Sequence, residues 1–295
     1  MISSLDPASL SFLNGLNLIQ RRSEAAQREL TTGLRINTVS DDPSQIPNLL
    51  ATRAHLDRTT QIGKNLGQVK AEVDTAEGAL ESAVKLVERA RTLGTQGQSA
   101  LTTADSRTEI ATELGGVLEQ LAGLSNTTVG GRYVFSGDND QKAAYSIDLS
   151  QVNPISAYLG SAATRQVQHP DGSTFAVSKT AQQLFDSSLQ SINSLRTALL
   201  NNDQTAITDA VSNLGAAGTT LNGQLAFYGT VQNRVADAQE YGSNLETQLQ
   251  TQLSGIQDAD LTHAITEFQQ ATTNQQAALA SRAKLPHTSL FDYLA

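Results

Sequence analysis

Four histidines are the only residues in the sequence that could supply imidazole chemistry, and they are scattered along the chain. They are His55, His169, His263 and His287. His263 and Glu267 stand four residues apart, so on a helix they would share one face and could begin a zinc site. A third ligand is missing, and the His-Glu-x-x-His motif does not occur. We therefore expect no metal site and no other cofactor.

The remaining candidates for catalysis are also weak. Serine is too common to single out a nucleophile, and cysteine is absent. His169 and Asp171 alternate with Pro170 and Gly172, an order typical of a turn and not of a catalytic triad. No glycine-rich loop leads from a strand into a helix, as a phosphate site would require. The sequence favours a protein that is not an enzyme, and a soluble enzyme with a hidden site is the least favoured alternative.

Composition argues against several classes of partner. The net charge is −9 and the pI about 4.9, so no broad basic surface is available for nucleic acid or anionic lipid. No apolar run approaches the roughly 20 residues that cross a bilayer, so we expect no membrane insertion. The lack of cysteine fits a protein outside the reducing cytosol. Met1–Leu18 carries no Lys or Arg, so it is unlike a cleaved secretory signal and export would need another route.

Apolar residues recur with the spacing of long helices in both halves of the chain. From Ile62 the steps alternate between four and three residues, which is a heptad pattern. Its members are Ile62, Leu66, Val69, Val73, Ala76, Leu80, Ala83, Val87 and Ala90. A helix over residues 58–96 would be on the order of 60 Å long, so we expect an elongated molecule. A second face predicts another very long helix, with Leu221, Leu225, Tyr228, Val231, Val235, Ala238, Leu245, Leu249, Leu253 and Ile256.

Breaks in these patterns predict turns and a small insertion. The stretch Gly94–Gly97 interrupts the first pattern, and Asp105 is a candidate N-cap for a helix that turns back. Between residues 130 and 180 the helical period disappears. There, Arg165–Gln168 and Thr174–Val177 flank a turn sequence and predict a β-hairpin. The fold class expected is mainly α, an antiparallel bundle of long helices from the N- and C-terminal halves with a small β-rich insertion.

The two ends of the chain are amphipathic but too polar to be stable as isolated helices. One end carries Leu5, Leu10, Leu13, Leu16 and Ile19, and the other carries Ile265, Phe268, Ala271 and Leu279. An isolated amphipathic helix is marginal in water. These ends therefore need a partner, either each other or neighbouring subunits.

Three separated stretches resemble the flagellin superfamily, and they occur in the same order. They are Glu29–Asn37 with Ser40–Pro43, then Tyr228–Arg234, then a tail containing Leu253–Asp260, Thr266–Phe268 and Leu285–Leu294. In the first stretch Gly33 can end a helix, while Asp41 and Asp42 are N-cap candidates before a proline. Gly131–Gly137 and the ending Leu290–Leu294 are similar to the hook–filament junction branch of the superfamily. A short flagellin that forms the filament is the alternative.

The resemblance implies a nested architecture. The ranges are 1–42 with 253–295 for a terminal coiled-coil assembly domain, 43–137 with 181–252 for a helical rod, and 138–180 for a small β insertion that projects outwards. It also implies an extracellular subunit of the flagellum that leaves through the type III flagellar export channel. Its partners would be a ring of like subunits, hook-associated protein 1 on the hook side, flagellin on the filament side, and an export chaperone.

Within this resemblance, eleven residues are expected at the joint or at subunit contacts. They are Arg35, Asn37, Asp41, Asp42, Pro43, Gln232, Asn233, Arg234, Leu290, Phe291 and Leu294. Two plainer interpretations stay open. Helix capping could be the whole role of Asp41 and Asp42. Asn233 and Arg234 could pair within the chain instead of with a neighbour.

Overall fold

The computed structural model describes residues 7–151 and 153–284, and this part of the chain is dominated by helices. The helices are α1 (Pro7–Thr32), α2 (Ile46–Gln98), α3 (Ala104–Ser125), α4 (Ala181–Leu200), α5 (Gln204–Gln257) and α6 (Leu261–Ala283). The strands are β1 (Thr128–Val129), β2 (Arg132–Tyr133), β3 (Gln166–Gln168) and β4 (Thr174–Ala176), which form two antiparallel pairs. The predicted mainly α class with a small β-rich insertion is confirmed. No helix in the described part is long and apolar enough to span a membrane.

The described residues form two compact units. One contains residues 7–58 and 246–284, and the other is Thr59–Leu245. The long helices α2 and α5 contribute to both. These divisions fall inside the helices and not at loops, whereas the domain limits proposed from the sequence lie at residues 42 and 253.

The second unit is built on the predicted heptad face of α2. Leu66, Ala76, Leu80 and Ala83 on this face are fully buried, and Val69 is half-buried. On α5, Leu221, Val235 and Ala238 are buried against the same core. Within this unit α2 and α5 run antiparallel, since Gln98 Nε2 donates to Thr208 Oγ1 over 3.0 Å, and Gln232 Nε2 donates to Asp74 Oδ1, also over 3.0 Å.

The predicted helix break at Gly94–Gly97 is wrong, because α2 continues through both glycines to Gln98. The glycines serve close packing instead. A Cβ on Gly94 would lie 2.7 Å from Val211 Cγ2 and 2.8 Å from Leu195 Cδ2. Gly97 meets Leu199 of α4 in the same way. These partners are about a hundred residues away, so local sequence does not reveal the reason for the glycines.

The turn after α2 also differs from the prediction. The N-cap of α3 is Thr103, whose hydroxyl accepts from Ser106 N–H, and Asp105 lies in the first helical turn. Arg107 of α3 is buried and joins this turn to the one between α4 and α5. Its guanidinium donates to the Gly97 carbonyl over 3.0 Å and to Asn202 and Gln204 side-chain oxygens.

The predicted hairpin is confirmed, with β3 and β4 paired around residues 169–173. It does not project away from the helices. Its turn packs on α5, where the rings of His169 and Tyr241 are 5.2 Å apart. At its start Arg165 forms an ion pair with Glu72 of α2.

In the first unit α1 and α6 pack side by side, as expected for two ends that need partners. Ala26 of α1 and Ala264 and Ala271 of α6 are buried there. Near the far end of the pair Arg282 donates to Ser9 Oγ over 2.8 Å, and its guanidinium lies 5.5 Å from the Phe12 ring centre. The helices are therefore antiparallel.

Candidate assembly joint

The candidate site is the place in the first unit where α1 ends beside the C-terminus of α5. We call residues 33–45 and 254–260 the joint. Gly33 has φ of +72°, and its N–H donates to the Glu29 carbonyl over 2.8 Å, which closes the last turn of α1. Glycine takes this left-handed backbone at little cost, so the predicted helix end is confirmed.

Backbone hydrogen bonds tie the two chain segments of the joint together. Arg35 N–H donates to the Gln257 carbonyl over 2.7 Å, and Ala259 N–H donates to the Gly33 carbonyl over 2.9 Å. Leu34 and Asp258 form an antiparallel bridge between these bonds. Segments more than 200 residues apart are thus paired like two short strands.

Arg35 reinforces this pairing through its side chain. One guanidinium nitrogen donates to the Ile256 carbonyl over 2.7 Å, and another donates to Asp42 Oδ2 over 3.0 Å. The last carbonyls of a helix lack intrahelical donors and carry partial negative charge, so a cation is favourable there. The pKa of Asp42 lies below its usual value because the Ser44 hydroxyl and Arg35 donate to its carboxylate.

Asp41 folds the loop back on itself. Its Oδ2 accepts from Asn37 N–H over 2.9 Å and from Thr38 N–H over 2.7 Å. The Thr38 amide is the main cause that holds the pKa of Asp41 below its usual value. The expected helix capping by Asp41 and Asp42 is therefore wrong, since α2 begins only at Ile46. Pro43 lies in the turn before it.

Asn37 completes the loop, and two residues that the sequence analysis missed support it. Asn37 Nδ2 donates to the Leu34 carbonyl over 2.7 Å. Gln257 is buried, and its side-chain oxygen accepts from Arg53 over 2.7 Å. Asp260 is the N-cap of α6. Asp260 could have been predicted as an N-cap, because an Asp just before a periodic helical segment is typical of one. The role of Gln257 could not, because its partner Arg53 lies 204 positions away.

The other predicted contact residues lie elsewhere. Gln232 of α5 is in the second unit and donates to Asp74 and Glu77 of α2. Asn233 and Arg234 are exposed on α5, and neither has a hydrogen-bond partner among the residues described. Leu290, Phe291 and Leu294 lie outside the described residues. The structure thus gathers Arg35, Asn37, Asp41, Asp42 and Pro43 in one joint and places Gln232, Asn233 and Arg234 in a different unit.

The helices α1 and α6 of the first unit present apolar side chains to solvent along their length. The exposed fraction of these side chains is 42–55%. They are Leu10, Leu13 and Leu18 on α1 and Leu261, Ile265 and Leu279 on α6. An open groove of about 600 Å³ lies between α2 and α5 in the same unit, lined by Asn48, Thr52, Leu249 and Gln252 among others. The first unit therefore combines a hydrogen-bonded joint with exposed apolar side chains on α1 and α6.

The described part of the chain offers no support for a zinc site at His263 and Glu267. His263 and Glu267 both line a small recess against α1, as their spacing predicts. No group of three potential metal ligands is found among the described residues.

The described part is a mainly helical protein whose first unit pairs α1 with α6, and sequence comparison identifies the family. The bacterial flagellin N-terminal helical region matches residues 4–140, and the bacterial flagellin C-terminal helical region matches residues 211–294. The chain belongs to the bacterial flagellin family.

Relatives within this family include filament and hook-associated proteins. The flagellin of Halalkalibacterium halodurans is 24% identical over 273 residues, which cover 92% of this chain and 89% of that protein. The match to the flagellin of Clostridium tyrobutyricum is 28% identical and covers 39% of this chain but 31% of the relative. Flagellar hook-associated protein 3 of Escherichia coli is 26% identical over 54% of this chain and 49% of its own length.

Solved structures share the fold. FlgL of Bacillus cereus has a TM-score of 0.58 at 20% identity and covers 68% of this chain and 97% of its own. Flagellar hook-associated protein 3 of Legionella pneumophila has a TM-score of 0.60 at 12% identity, covering 70% and 98%. At such low identity the similarity establishes the fold only.

Proposed function

We propose that this protein is a structural, non-catalytic subunit of the bacterial flagellum that joins the hook to the filament. The observation that carries the proposal is the exposed apolar surface on the paired helices α1 and α6, within the flagellin fold. Burying such surface stabilises association by roughly 25 cal/mol per Å². A pair of helices with apolar side chains on both its inner and outer faces is suited to packing among copies and relatives of itself.

The joint fits a mechanical role. Its hydrogen bonds connect the end of α1 to the end of α5, so load applied to one terminal helix passes directly to the other half of the chain. We propose that residues 1–42 and 253–295 form the assembly domain, 43–137 and 181–252 the rod, and 138–180 the insertion. In this proposal Arg35, Asn37, Asp41 and Asp42 hold the joint, while Asn233 and Arg234, exposed and without an intrachain partner in the described structure, contact a neighbour.

Two considerations favour a junction subunit over a short flagellin. Hook-associated proteins are among the proteins of this fold, and the residues around Gly131–Gly137 resemble that branch. The subunit would form a ring, with hook-associated protein 1 on the hook side and flagellin on the filament side, after leaving through the flagellar export channel with a chaperone. A short flagellin is the second candidate, supported by the relative that matches over 92% of this chain.

Deletion and copy number separate these candidates. Deleting the gene should leave hooks without filaments by electron microscopy in either case. A junction subunit should be a trace component of sheared flagella, and flagellin should appear unpolymerised in the medium of the deletion strain. Recovery of this protein as the bulk of sheared flagella would instead identify it as the filament subunit.

A further inference from the structure

The second unit contains a polar groove that is separate from the joint. The groove has a volume of about 490 Å³ and lies between the segment Ile155–Tyr158 and one face of α4. Neither wall contains a residue predicted at the joint or at subunit contacts, so those predictions do not explain the groove.

One wall is a strand edge with two free N–H groups, whereas its Ala157 carbonyl already accepts from the Ser156 hydroxyl. Asp148 N–H donates to the Pro154 carbonyl over 2.8 Å, and Ser156 N–H donates to the Ser146 carbonyl over 3.0 Å, which makes Ile147 and Ile155 an antiparallel bridge. Backbone groups of successive residues in such a ladder point to opposite edges. Those of Ile155 and Ala157 therefore face away from Ser146. Within the described residues, neither N–H donates a hydrogen bond.

The opposite wall is a row of side chains on α4. Gln182, Asp186, Gln190 and Asn193 line the groove at intervals of four, four and three residues. Four residues of helix rise about 6 Å, and two residues of an extended strand advance about 6.7 Å. The spacing of the side chains in the row is therefore close to the two-residue repeat of an extended peptide. The row is long enough for four to five residues of such a peptide. Each Gln or Asn amide can both donate and accept, as a peptide backbone does.

The row also contains an unmet hydrogen-bonding need. Asn193 Oδ1 is buried and accepts no hydrogen bond from the described residues. An unpaired buried acceptor is costly, on the order of 1–3 kcal/mol. Asp186 is oriented by the Tyr145 hydroxyl at 3.2 Å and by Gln190 Nε2 at 2.9 Å, and its carboxylate retains acceptor capacity. Because the Asn193 oxygen has no accessible surface, a ligand that brings N–H donors would pair with the Asp186 carboxylate at this wall.

We propose that this groove binds an extended peptide segment of a neighbouring flagellar subunit, which adds as a strand to the edge at Ile155 and Ala157. Strand addition gains affinity from backbone hydrogen bonds, and edges left open in a fold are its usual sites. The segment is four to five residues long and neutral or basic, because Asp186 is the one charged side chain of the groove. This inference rests on the proposed function, which supplies the neighbouring subunits.

Photo-crosslinking in intact flagella tests the proposal. Ser194 lines the groove, is exposed and lies outside the row, and it is replaced by benzoylphenylalanine. After irradiation, the product should contain one defined peptide of another flagellar subunit, identified by mass spectrometry. Ala157→Pro removes the edge N–H without removing an intrachain hydrogen bond, so it should lower the crosslink yield at least tenfold while the thermal midpoint stays unchanged.

Two controls make a negative result informative. If Ala157→Pro lowers the thermal midpoint, Gln182→Leu replaces it, and the same tenfold loss is expected because an exposed amide of the row is gone. Immunoblots of the purified flagella show whether the protein is present; its absence there would refute the proposed function itself. Presence without a crosslink, a yield unaffected by both variants, or a crosslinked carbohydrate in place of a peptide would overturn the strand-addition proposal alone.

Discussion

At the scale of single residues, two arginines illustrate how distant parts of the chain are fastened. Arg35 and Arg107 both donate to carbonyl oxygens near the C-terminal end of a helix, Ile256 in one case and Gly97 in the other. Arginine suits this task because its planar fork offers several donors in fixed directions. Arg107 differs in being buried, and the three groups to which it donates are all neutral.

Replacing Arg107 should destabilise the second unit. Arg107→Leu leaves three acceptors without their donor, and we expect a loss of about 2–3 kcal/mol in the free energy of unfolding by urea. Arg89→Leu is the matched control, because Arg89 forms an exposed ion pair with Glu113 that should contribute under about 1 kcal/mol. Equal effects of the two changes would contradict the role assigned to Arg107.

The joint should be sensitive to acid through Asp41. Its pKa is lowered in the folded state from a usual value of 3.8, chiefly by the Thr38 amide. Its stabilisation is therefore complete above pH 3.8 and is lost as the pH falls through the lowered folded pKa. Asp41→Asn should be less stable than the wild type at neutral pH, and the difference should vanish in strong acid.

Urea titrations of both proteins between pH 2 and 7 measure this difference. Asp237→Asn is the control, since Asp237 is exposed on α5 and its side chain forms no hydrogen bond with the described residues. A stability gap between wild type and Asp41→Asn that stays constant down to pH 2 would exclude the stabilising role assigned to the Asp41 carboxylate.

At the scale of elements, the sequence specified what depends on neighbouring residues. The heptads predicted the buried faces of α2 and α5, and the turn sequence at residues 169–172 predicted the hairpin, because these signals are local. The predictions of a helix break at Gly94 and Gly97 and of a helix N-cap at Asp41 were wrong. Gly94 and Gly97 make room for Leu195 and Leu199, and Asp41 holds its own loop together. These contacts exist only in the tertiary structure, so the local sequence could not reveal them.

Alanine substitutions at two glycines of α2 should therefore change the free energy of unfolding in opposite directions. Gly78→Ala adds a methyl group in open space and should stabilise the protein by about 0.5–1 kcal/mol through helix propensity. Gly94→Ala meets Val211 and Leu195 and should destabilise it by about 1–3 kcal/mol. Thermal unfolding followed by circular dichroism measures both, and stabilisation by Gly94→Ala would refute the close packing.

A charge in the heptad face should unfold the second unit. Leu80 is fully buried, so Leu80→Asp should cost more than about 4 kcal/mol and lower the thermal midpoint sharply. Gln68→Asp places the same side chain at an exposed position of α2 and should be nearly neutral. A thermal midpoint unchanged by Leu80→Asp would mean that the heptad face of α2 does not stabilise the second unit.

At the scale of the whole molecule, the helices α1 and α6 pack on each other, and apolar side chains on both remain exposed. The sequence predicted that both terminal segments need a partner, because neither is apolar enough to be stable on its own, and the family resemblance implied that they pair with each other. It did not predict the polar groove beside α4, whose walls come from an irregular loop and a helix of ordinary amphipathic pattern. Assembly is the common explanation for the exposed surface, the joint and the groove.

The last residues should matter for incorporation more than for folding. Deleting residues 286–295 removes Leu290, Phe291 and Leu294, and we expect loss of the protein from flagella with little change in helical circular dichroism. Replacing these three residues with serine at full length separates apolar contact from chain length. Normal incorporation of both variants would exclude a role for this segment in assembly.

The position of the protein on the intact flagellum tests the central claim most directly. Antibody labelled with gold and viewed by electron microscopy should mark one narrow band where hook meets filament. Label along the whole filament, or no label on flagella that contain all their parts, would contradict the account.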